Sequence, residues 1–469
     1  MNPGTRYPFL DLATVNAPYA VEIAARLADV VARGRYVGGP EVDEFEARLR
    51  HVAGADFAIG VSNGLDALRL ILLGYIRLGR LQPGDEVIVP ANTYIASVLA
   101  ITHAGLVPVL AEPNALTSNL DTSRLEELIG PRTRAIMPVH LYGRVCFDDA
   151  LMSAARRHNL LVIEDNAQAI GAVSANDGLN GTRTTGSLGH AAAFSFYPTK
   201  NIGGMGDAGA VTTSDPELAA TVRALANYGA DRRYHNIHAG FNCRLDTMQA
   251  AVLNVKLPHT AEENAMRRSI ARIYCDEIRH SDIRLPLMAD DCVFHQFVIH
   301  TDRRDELTAY LTSNGIGWDM HYATPPHLQP CYRAERSCAD NAGIIRTPSG
   351  PLRLPKGGLS ITEHLADTLL SLPISRCTTQ KDAREIADIT VSSEDLFALV
   401  TLRRLSQALM ERIHGSYRFI VGFNLTLIAL GVAGVLPPAT SALLHNGSTL
   451  GISLRNMTDL LDDEENPRK

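Results

Sequence analysis

The chain has 469 residues, of which 46% are hydrophobic and 20% charged, and a formal net charge of -7. That length predicts two or three domains, and the composition is that of a globular protein. The acidic balance, with no basic stripe interleaved with aromatics, excludes a general nucleic-acid binder. Seven cysteines (146, 243, 275, 292, 331, 338, 377) lie scattered, without a CxxC pair or a zinc spacing. They read as reduced cytosolic thiols, and no metal site is expected. No basic start followed by an apolar run marks a secretory signal at the N-terminus.

From residue 57 to about 215 the pattern alternates between strand and helix. Phe57 to Val61 is an apolar strand ending in Ser62-Asn63-Gly64, and Leu65 to Leu78 is a helix. Glu86 to Pro90 is a strand, Tyr94 to His103 a helix and Leu106 to Leu110 a strand. Ala135 to His140 reads as a strand, Asp148 to Arg157 as a helix, and Leu160 to Glu164 and Ala191 to Phe196 as strands. Such alternation predicts an α/β sheet covered on both faces, with ligands at the carboxyl ends of its strands. Gln249 to Met266 is a helix leading to a second, mixed region with a strand near Phe294 to Ile299. The polar stretch Ile389 to Asp395 reads as a junction, and Leu402 to His414 as an amphipathic helix. Phe419 to Leu436 carries no charge and is long enough to span a bilayer; a shorter apolar run follows from Ala439 to Leu454. The charged residues Asp459 to Lys469 predict disorder.

Chemistry gathers around Lys200. Only five of the 44 basic residues are lysines, and one is kept in Ser195-Phe196-Tyr197-Pro198-Thr199-Lys200-Asn201. Arginine cannot shed its proton to act as nucleophile or base, whereas a lysine with a lowered pKa can. Pyridoxal phosphate uses such a lysine, with an acid facing its pyridine nitrogen, a phosphate cradle and a stacking group. Asp165 follows the apolar strand Leu160 to Glu164 and could keep that nitrogen protonated; Gln168 could bond the ring hydroxyl. Ser62, Asn63 and Gly64 stand at a helix N-terminus suited to a phosphate, which Ser195 could also meet. Tyr94 could stack on the ring. Taken singly, such an Asp165 is more often a helix cap and such a Ser62-Asn63-Gly64 more often a turn; their joint placement with Lys200 in one α/β frame carries the reading. Gly204 to Gly209 matches GxGxxG, but a strand rather than a helix follows, so a dinucleotide site is rejected.

These segments together resemble the DegT/StrS-type sugar-nucleotide aminotransferases. The resemblance runs from about Pro8 to Asp388 and also takes in Gly38-Gly39-Pro40 with Phe45-Glu46, Pro90 to Tyr94, Pro138 to Gly143, Glu164 to Gln168 and Gly240 to Asp246. It implies the α/β fold of fold type I pyridoxal-phosphate transferases: a large domain over 1–255, a smaller α+β domain over 256–390, and an appended helical tail over 391–469. Lys200 would form the Schiff base and shuttle the proton, Asp165 would pair the pyridinium, and Gln168 would meet the ring hydroxyl. Ser62, Asn63, Gly64 and Ser195 would hold the phosphate. Asn242 would reach the same phosphate from a second subunit, which implies a homodimer.

Tyr197, where many members carry histidine, resembles the branch that aminates carbon 3 of a dTDP-linked keto-deoxyhexose, with glutamate as donor. His321, Tyr322 and His327 are further substrate candidates. An enzyme acting at carbon 4, and a catalytically silent pyridoxal-phosphate protein at a membrane, are the alternatives. Related dehydratases replace the lysine with histidine, and Lys200 argues against that chemistry. Cys338 to Gly358 looks irregular for the family. The tail is similar to the last two membrane helices of a heavy-metal P-type ATPase, through Leu402 to Ser406, Gly422-Phe423-Asn424 and His445 to Leu450. With no DKTGT or CPC motif in the chain, it implies a membrane segment at 418–436 and 439–454 on a cytoplasmic enzyme, not a pump.

Overall fold

Short apolar runs, several of them followed by a helix whose cap is written in the sequence, build the centre of the protein. The computed structural model describes residues 5–174, 183–333 and 344–456. Among the described residues, seven strands of the main sheet come first: β1 (Phe57–Val61), β2 (Glu86–Pro90), β3 (Val107–Ala111), β4 (Thr133–Ile136), β5 (Leu161–Asp165), β6 (Ala191–Ser195) and β7 (Gly209–Thr213). Four more follow: β8 (Phe297–His300), β9 (Ile344–Thr347), β10 (Gly350–Arg353) and β11 (Leu369–Leu372). The main sheet has the order β1-β7-β6-β5-β4-β2-β3-β10-β9. Neighbours from β6 through β3 are parallel, whereas β7 runs antiparallel to both β6 and β1. Every residue of β2, β3 and β7 is buried, as expected of strands covered on both faces.

The covering helices are α1 (Ala20–Arg33), α2 (Pro40–Ala53), α3 (Gly64–Arg77), α4 (Ile95–His103), α5 (Asp149–His158), α6 (Pro216–Ala226) and α7 (Thr247–Lys256). Their starts are written locally. Asn63, Asp148 and Asp215 accept backbone N–H groups of α3, α5 and α6, which satisfies donors the helix leaves free. Leu68, Ile71, Val89, Val98 and Leu218 share one apolar cluster, and Phe45, Leu49, Phe194, Phe196 and Leu253 another. Each such side chain contributes ~1.5–3 kcal/mol by leaving water, so the strand ends between these clusters are held firmly. At the sheet margin, Gly60 N donates to Glu46 Oε1 at 2.9 Å, and Arg223 grips the same carboxylate at 2.7 Å.

After α7 a 3-10 turn, Leu257–His259, leads into α8 (Thr260–Glu277). The single helix expected over 249–266 is thus two, since Pro258 has no N–H to continue the first. The expected strand to His140 stops at Ile136, shortly before Pro138. β8 and β11 pair antiparallel, and with α8, α9 (Arg304–Ser313) and the start of α11 they enclose their own core of Tyr274, Phe297, Ile299, Leu311, Leu370 and Ile386. α10 (Ser360–Thr368) precedes β11. Despite its two cores, Met1–Val391 is one compact unit, and Ser392–Lys469 is another. The junction expected at 389–395 is helical: α11 (Gln380–Val432) passes through it. No proline or glycine interrupts the chain between Gln380 and His414, so nothing stops the helix. α12 (Pro438–Asn456) follows a turn with Gly434 at φ 71°. Among the described residues, one helical segment, Ala408–Val432, is long and apolar enough to cross a membrane. The terminal stretch from Asp459 and the first part of the irregular 338–358 stretch lie outside the described residues.

Candidate active site

The carboxyl ends of β1, β2, β5 and β6 open onto a cavity of ≈ 540 Å³, within the ~300–1,000 Å³ usual for ligand sites. The loop after β6 carries Lys200 into it. Lys200 N bonds Tyr197 O at 2.9 Å, and Phe196 N and Gly204 N close the loop onto Ala208 O and Phe196 O at 2.8 Å each. The GxGxxG run serves this packing. A Cβ on Gly204 or Gly206 would meet the Gln249 amide at 2.8 or 2.9 Å, and one on Gly209 would meet the Asn63 backbone at 2.3 Å. Burial pushes the Lys200 ammonium down from 10.5 to about 8, although the Asp165 charge pulls the other way. A useful fraction of free amine therefore exists near neutrality.

Asp165 ends β5 and is buried. Its Oδ2 accepts from Ser97 Oγ at 2.7 Å and its Oδ1 from Ala167 N at 3.1 Å. Ser97 spends its one proton on Asp165, so at 2.8 Å the Thr93 hydroxyl donates to Ser97. A chain of donors from the start of α4 thus orients the carboxylate. Glu164 points to the other side of the strand. It accepts from Gly186, Leu188 and Gly189 N at 2.8 Å each, and from His140 Nε2 at 3.0 Å. Cys146 N donates to His140 Nδ1, which places the ring proton on Nε2. Both motif words, Pro138 to Gly143 and Glu164 to Gln168, therefore include residues that brace the strand rather than face the cavity.

The first turn of α3 forms another wall. Asn63 and Gly64 line the cavity, but the Asn63 side chain is spent on Asp66 as the helix cap. The first amides of a helix have no acceptor within it and suit an anion. A Cβ on Gly64 would lie 2.8 Å from Ser195 Cβ, so only glycine lets the helix start approach the end of β6. Ser62 turns its hydroxyl to Asp66 and is not part of the lining.

Tyr94, half-exposed, lines the cavity with its ring 5.0 Å from that of Tyr322. Gln168 is clamped between Tyr142 N, which it accepts at 2.6 Å, and Tyr322 Oη, to which it donates at 2.9 Å. Tyr197 lies in the lining, half-exposed, and His321 rests on Ser371 Oγ at 2.8 Å. Two more expected residues stand outside the lining, as Ser62 does: His327 pairs with Glu363 at 3.0 Å, and Asn242 is exposed, bridging to Asn227.

His295, Gln296 and Asp207 line the cavity without having been expected there. His295 is buried, and its Nδ1 lies 3.0 Å from Asn201 Oδ1. Asn201 Nδ2 donates to Asn264 and to Val293 O, which fixes the amide and puts the His295 proton on Nδ1. Burial, then the Lys200 and Arg267 charges, hold this imidazole well below its usual range and hence neutral.

A depressed lysine, an oriented buried carboxylate, a glycine-floored helix start beside a serine, and an aromatic face together fit pyridoxal phosphate. A family model for DegT/DnrJ/EryC1/StrS aminotransferases matches residues 19–390. The chain belongs to this aminotransferase family. It shares 42% identity over 383 residues, 81% of its own length and 98% of the relative's, with dTDP-3-amino-3,6-dideoxy-alpha-D-galactopyranose transaminase of Aneurinibacillus thermoaerophilus. It is also 42% identical over 386 residues, 82% of this chain and 95% of the relative, to dTDP-3-amino-3,4,6-trideoxy-alpha-D-glucose transaminase of Streptomyces venezuelae. Among solved structures, S. venezuelae DesV in complex with a ketimine intermediate superposes with a TM-score of 0.74 at 42% identity, covering 83% of this chain and 98% of that one. Membership makes the chain a pyridoxal-phosphate-dependent transaminase of fold type I. The matched region ends at residue 390; the likeness of the tail to a transport ATPase rests on its sequence words alone.

Proposed function

We propose that the chain moves an amino group from glutamate to carbon 3 of a dTDP-linked 3-keto-6-deoxyhexose, leaving 2-oxoglutarate. The observation that carries the reading is Lys200, with its lowered pKa, in a cavity it shares with the Asp165 carboxylate. Two relatives named for dTDP-3-amino sugars support carbon 3 and the nucleotide. When bound, pyridoxal phosphate supplies an electron sink for the carbon that loses its proton. Lys200 holds the cofactor and then moves that proton; Asp165, kept in place by Ser97, holds the proton on the pyridine nitrogen. Ser195 and the backbone of Asn63 and Gly64 hold the phosphate, and Tyr94 covers the ring.

Gln168 and Tyr322, already bonded to each other, stand for the ring hydroxyl, while Tyr197 and His321 face the sugar. Asn242, exposed and outside the cavity, completes the phosphate site of a second copy, so the working form is a homodimer. Ser62 and His327 take no part, since both are engaged elsewhere. The reaction runs in the cytoplasm, and the tail holds the enzyme at a membrane.

The test is an absorption spectrum of the cofactor-loaded protein before and after glutamate, followed by the keto-sugar nucleotide. A visible-edge band that bleaches with glutamate and returns with the sugar supports the reading. The position of the new amine by NMR separates carbon 3 from carbon 4. A band that ignores glutamate would leave a silent cofactor binder.

A further inference from the structure

We propose that the second half of α11 and the whole of α12 insert together as a two-helix membrane hairpin. The turn 433–437 would lie on the far side, and both helix ends would emerge on the cytoplasmic side. This extends the membrane reading of the tail given above and is independent of the transamination.

Length comes first. Ala408–Val432 has 25 residues and contains an 18-residue window of mean hydropathy 1.3. It rises ~37 Å at 1.5 Å per residue against a hydrocarbon core of ~30 Å, so its first turns, with Glu411 and Arg412, lie at the interface, to which the long side chain of Arg418 reaches. The 19 residues of α12 reach ~28 Å by the same rise. Exposure comes second. Tyr417, Phe419, Ile420, Val421, Leu425, Ile428 and Val432 are all exposed. Phe419, Ile420 and Val421 are consecutive, so they point in three directions around the helix rather than along one stripe. An amphipathic helix of a soluble protein turns its polar side outward; this one is apolar outward. A second copy would cover one stripe, whereas lipid covers every direction.

α12 is too polar for hydropathy to single it out, yet three of its hydroxyls are bonded within the helix. Ser448 and Thr449 donate to His445 O at 2.8 and 3.0 Å, and Ser453 donates to Thr449 O at 3.0 Å. Thr426 in α11 donates to Gly422 O at 2.8 Å. In hydrocarbon, where no water can help, this is the arrangement a helix needs. Two rungs then join the helices. His445 Nδ1 donates to Asn424 Oδ1 at 2.8 Å, and Ser416 Oγ meets Asn456 Oδ1 at 3.4 Å. Asn424 stands 8 residues before Val432 and His445 stands 7 after Pro438, the matched depths an antiparallel pair requires. Polar pairs of this kind join helices in membranes.

Charge sets the direction. Arg403 and Arg404 precede Ala408–Val432, Arg412 and Arg418 lie in its first half and Arg455 closes α12, while the turn Ala433 to Pro437 has none. Basic residues stay on the cytoplasmic side.

The experiment uses the full chain. Flotation with phosphatidylcholine–phosphatidylglycerol vesicles, followed by a carbonate wash at high pH, should leave it in the vesicle fraction. The Leu425→Arg, Ile428→Arg double variant should lower that fraction about tenfold, because arginine is strongly disfavoured at mid-membrane. In intact cells, a membrane-impermeant maleimide should label Val435→Cys but none of the native cysteines. A chain that floats but is labelled at 435 only after permeabilisation would overturn the hairpin and keep the membrane. A chain that stays in solution, or pairs with a second copy instead of binding vesicles, would overturn both. The glutamate-dependent spectrum is read in parallel and bears only on the enzyme.

Discussion

Lys200 and Lys256 share a chemical state and differ in everything else. Burial pushes both ammonium groups from 10.5 down to about 8. Lys256 is 3% exposed and donates to Gly203 O at 2.7 Å and Asn16 Oδ1 at 3.0 Å. It ties α7 and the N-terminal segment to the loop that carries Lys200. Lys200 faces a cavity lined by a carboxylate, a helix start and aromatic rings. A lowered pKa therefore does not mark the reactive lysine by itself; access and convergent partners do.

Replacing each lysine tests this contrast. Lys200→Ala should cut turnover by at least ~10³-fold, in the range that losing a positioned proton carrier allows, and remove the glutamate-responsive band while the chain stays folded. Asp165→Asn should cost ~10²-fold, as loss of one preorganised electrostatic partner does, and leave the cofactor attached; single-turnover spectra separate the two variants. Lys256→Met should leave most of the rate and instead lower stability by ~1–3 kcal/mol, since Gly203 O loses its buried donor. Urea denaturation measures this. If Lys256→Met silenced the enzyme as thoroughly as Lys200→Ala, the contrast would fail.

The pH dependence of stability sharpens the same point. Between pH 8 and about 9.5, below the range where tyrosines ionise, the unfolded chain keeps a proton on Lys256 that the folded chain has released. The Lys256 contribution to the unfolding free energy of the cofactor-free protein therefore rises with pH in this window. Cys146, Cys243, Cys275 and Cys292, whose thiols burial keeps protonated in the fold, contribute in the opposite sense, so the Lys256 share is read as the difference between the parent and Lys256→Met. Lys256 adds at most ~1.4 kcal/mol per unit, and the Lys256→Met variant should show a shallower slope. His295→Gln should have the smallest effect, a lower rate of the glutamate half-reaction with its pH profile unmoved, because burial keeps the imidazole neutral across that range. A shifted profile would mean that His295 titrates during turnover.

Much of the site was readable because strand ends announce it. Asp165, Ser195, Gly64 and Tyr94 each follow an apolar run, and the sheet brings such ends together whatever the helices between them do. His295 and Gln296 could not be read this way. They arrive from the region after α8, just before a strand whose carboxyl end lies elsewhere, and only tertiary packing places them beside Lys200. Ser97 was hidden for another reason: a serine inside a helix carries no local sign that its hydroxyl orients a carboxylate. The position of His327 outside the cavity lining, on Glu363, was hidden because that partner is 36 residues away in sequence. The junction expected at 389–395 followed polarity, but helix continuity depends on the absence of breakers, and none is present.

The Glu46 carboxylate on Gly60 N has a consequence for how the protein behaves in a crowded solution. An outermost strand with free N–H groups is a template for another chain. On β1 one such donor is already taken by Glu46, and another, Ser62 N, is taken by Cys243 O at 3.1 Å. The opposite margin ends in β9, only four residues long and bearing Arg346. Replacing Glu46 should leave the chemistry at Lys200 largely alone and instead open that flank to aggregation, visible as light scattering on refolding before any loss of turnover.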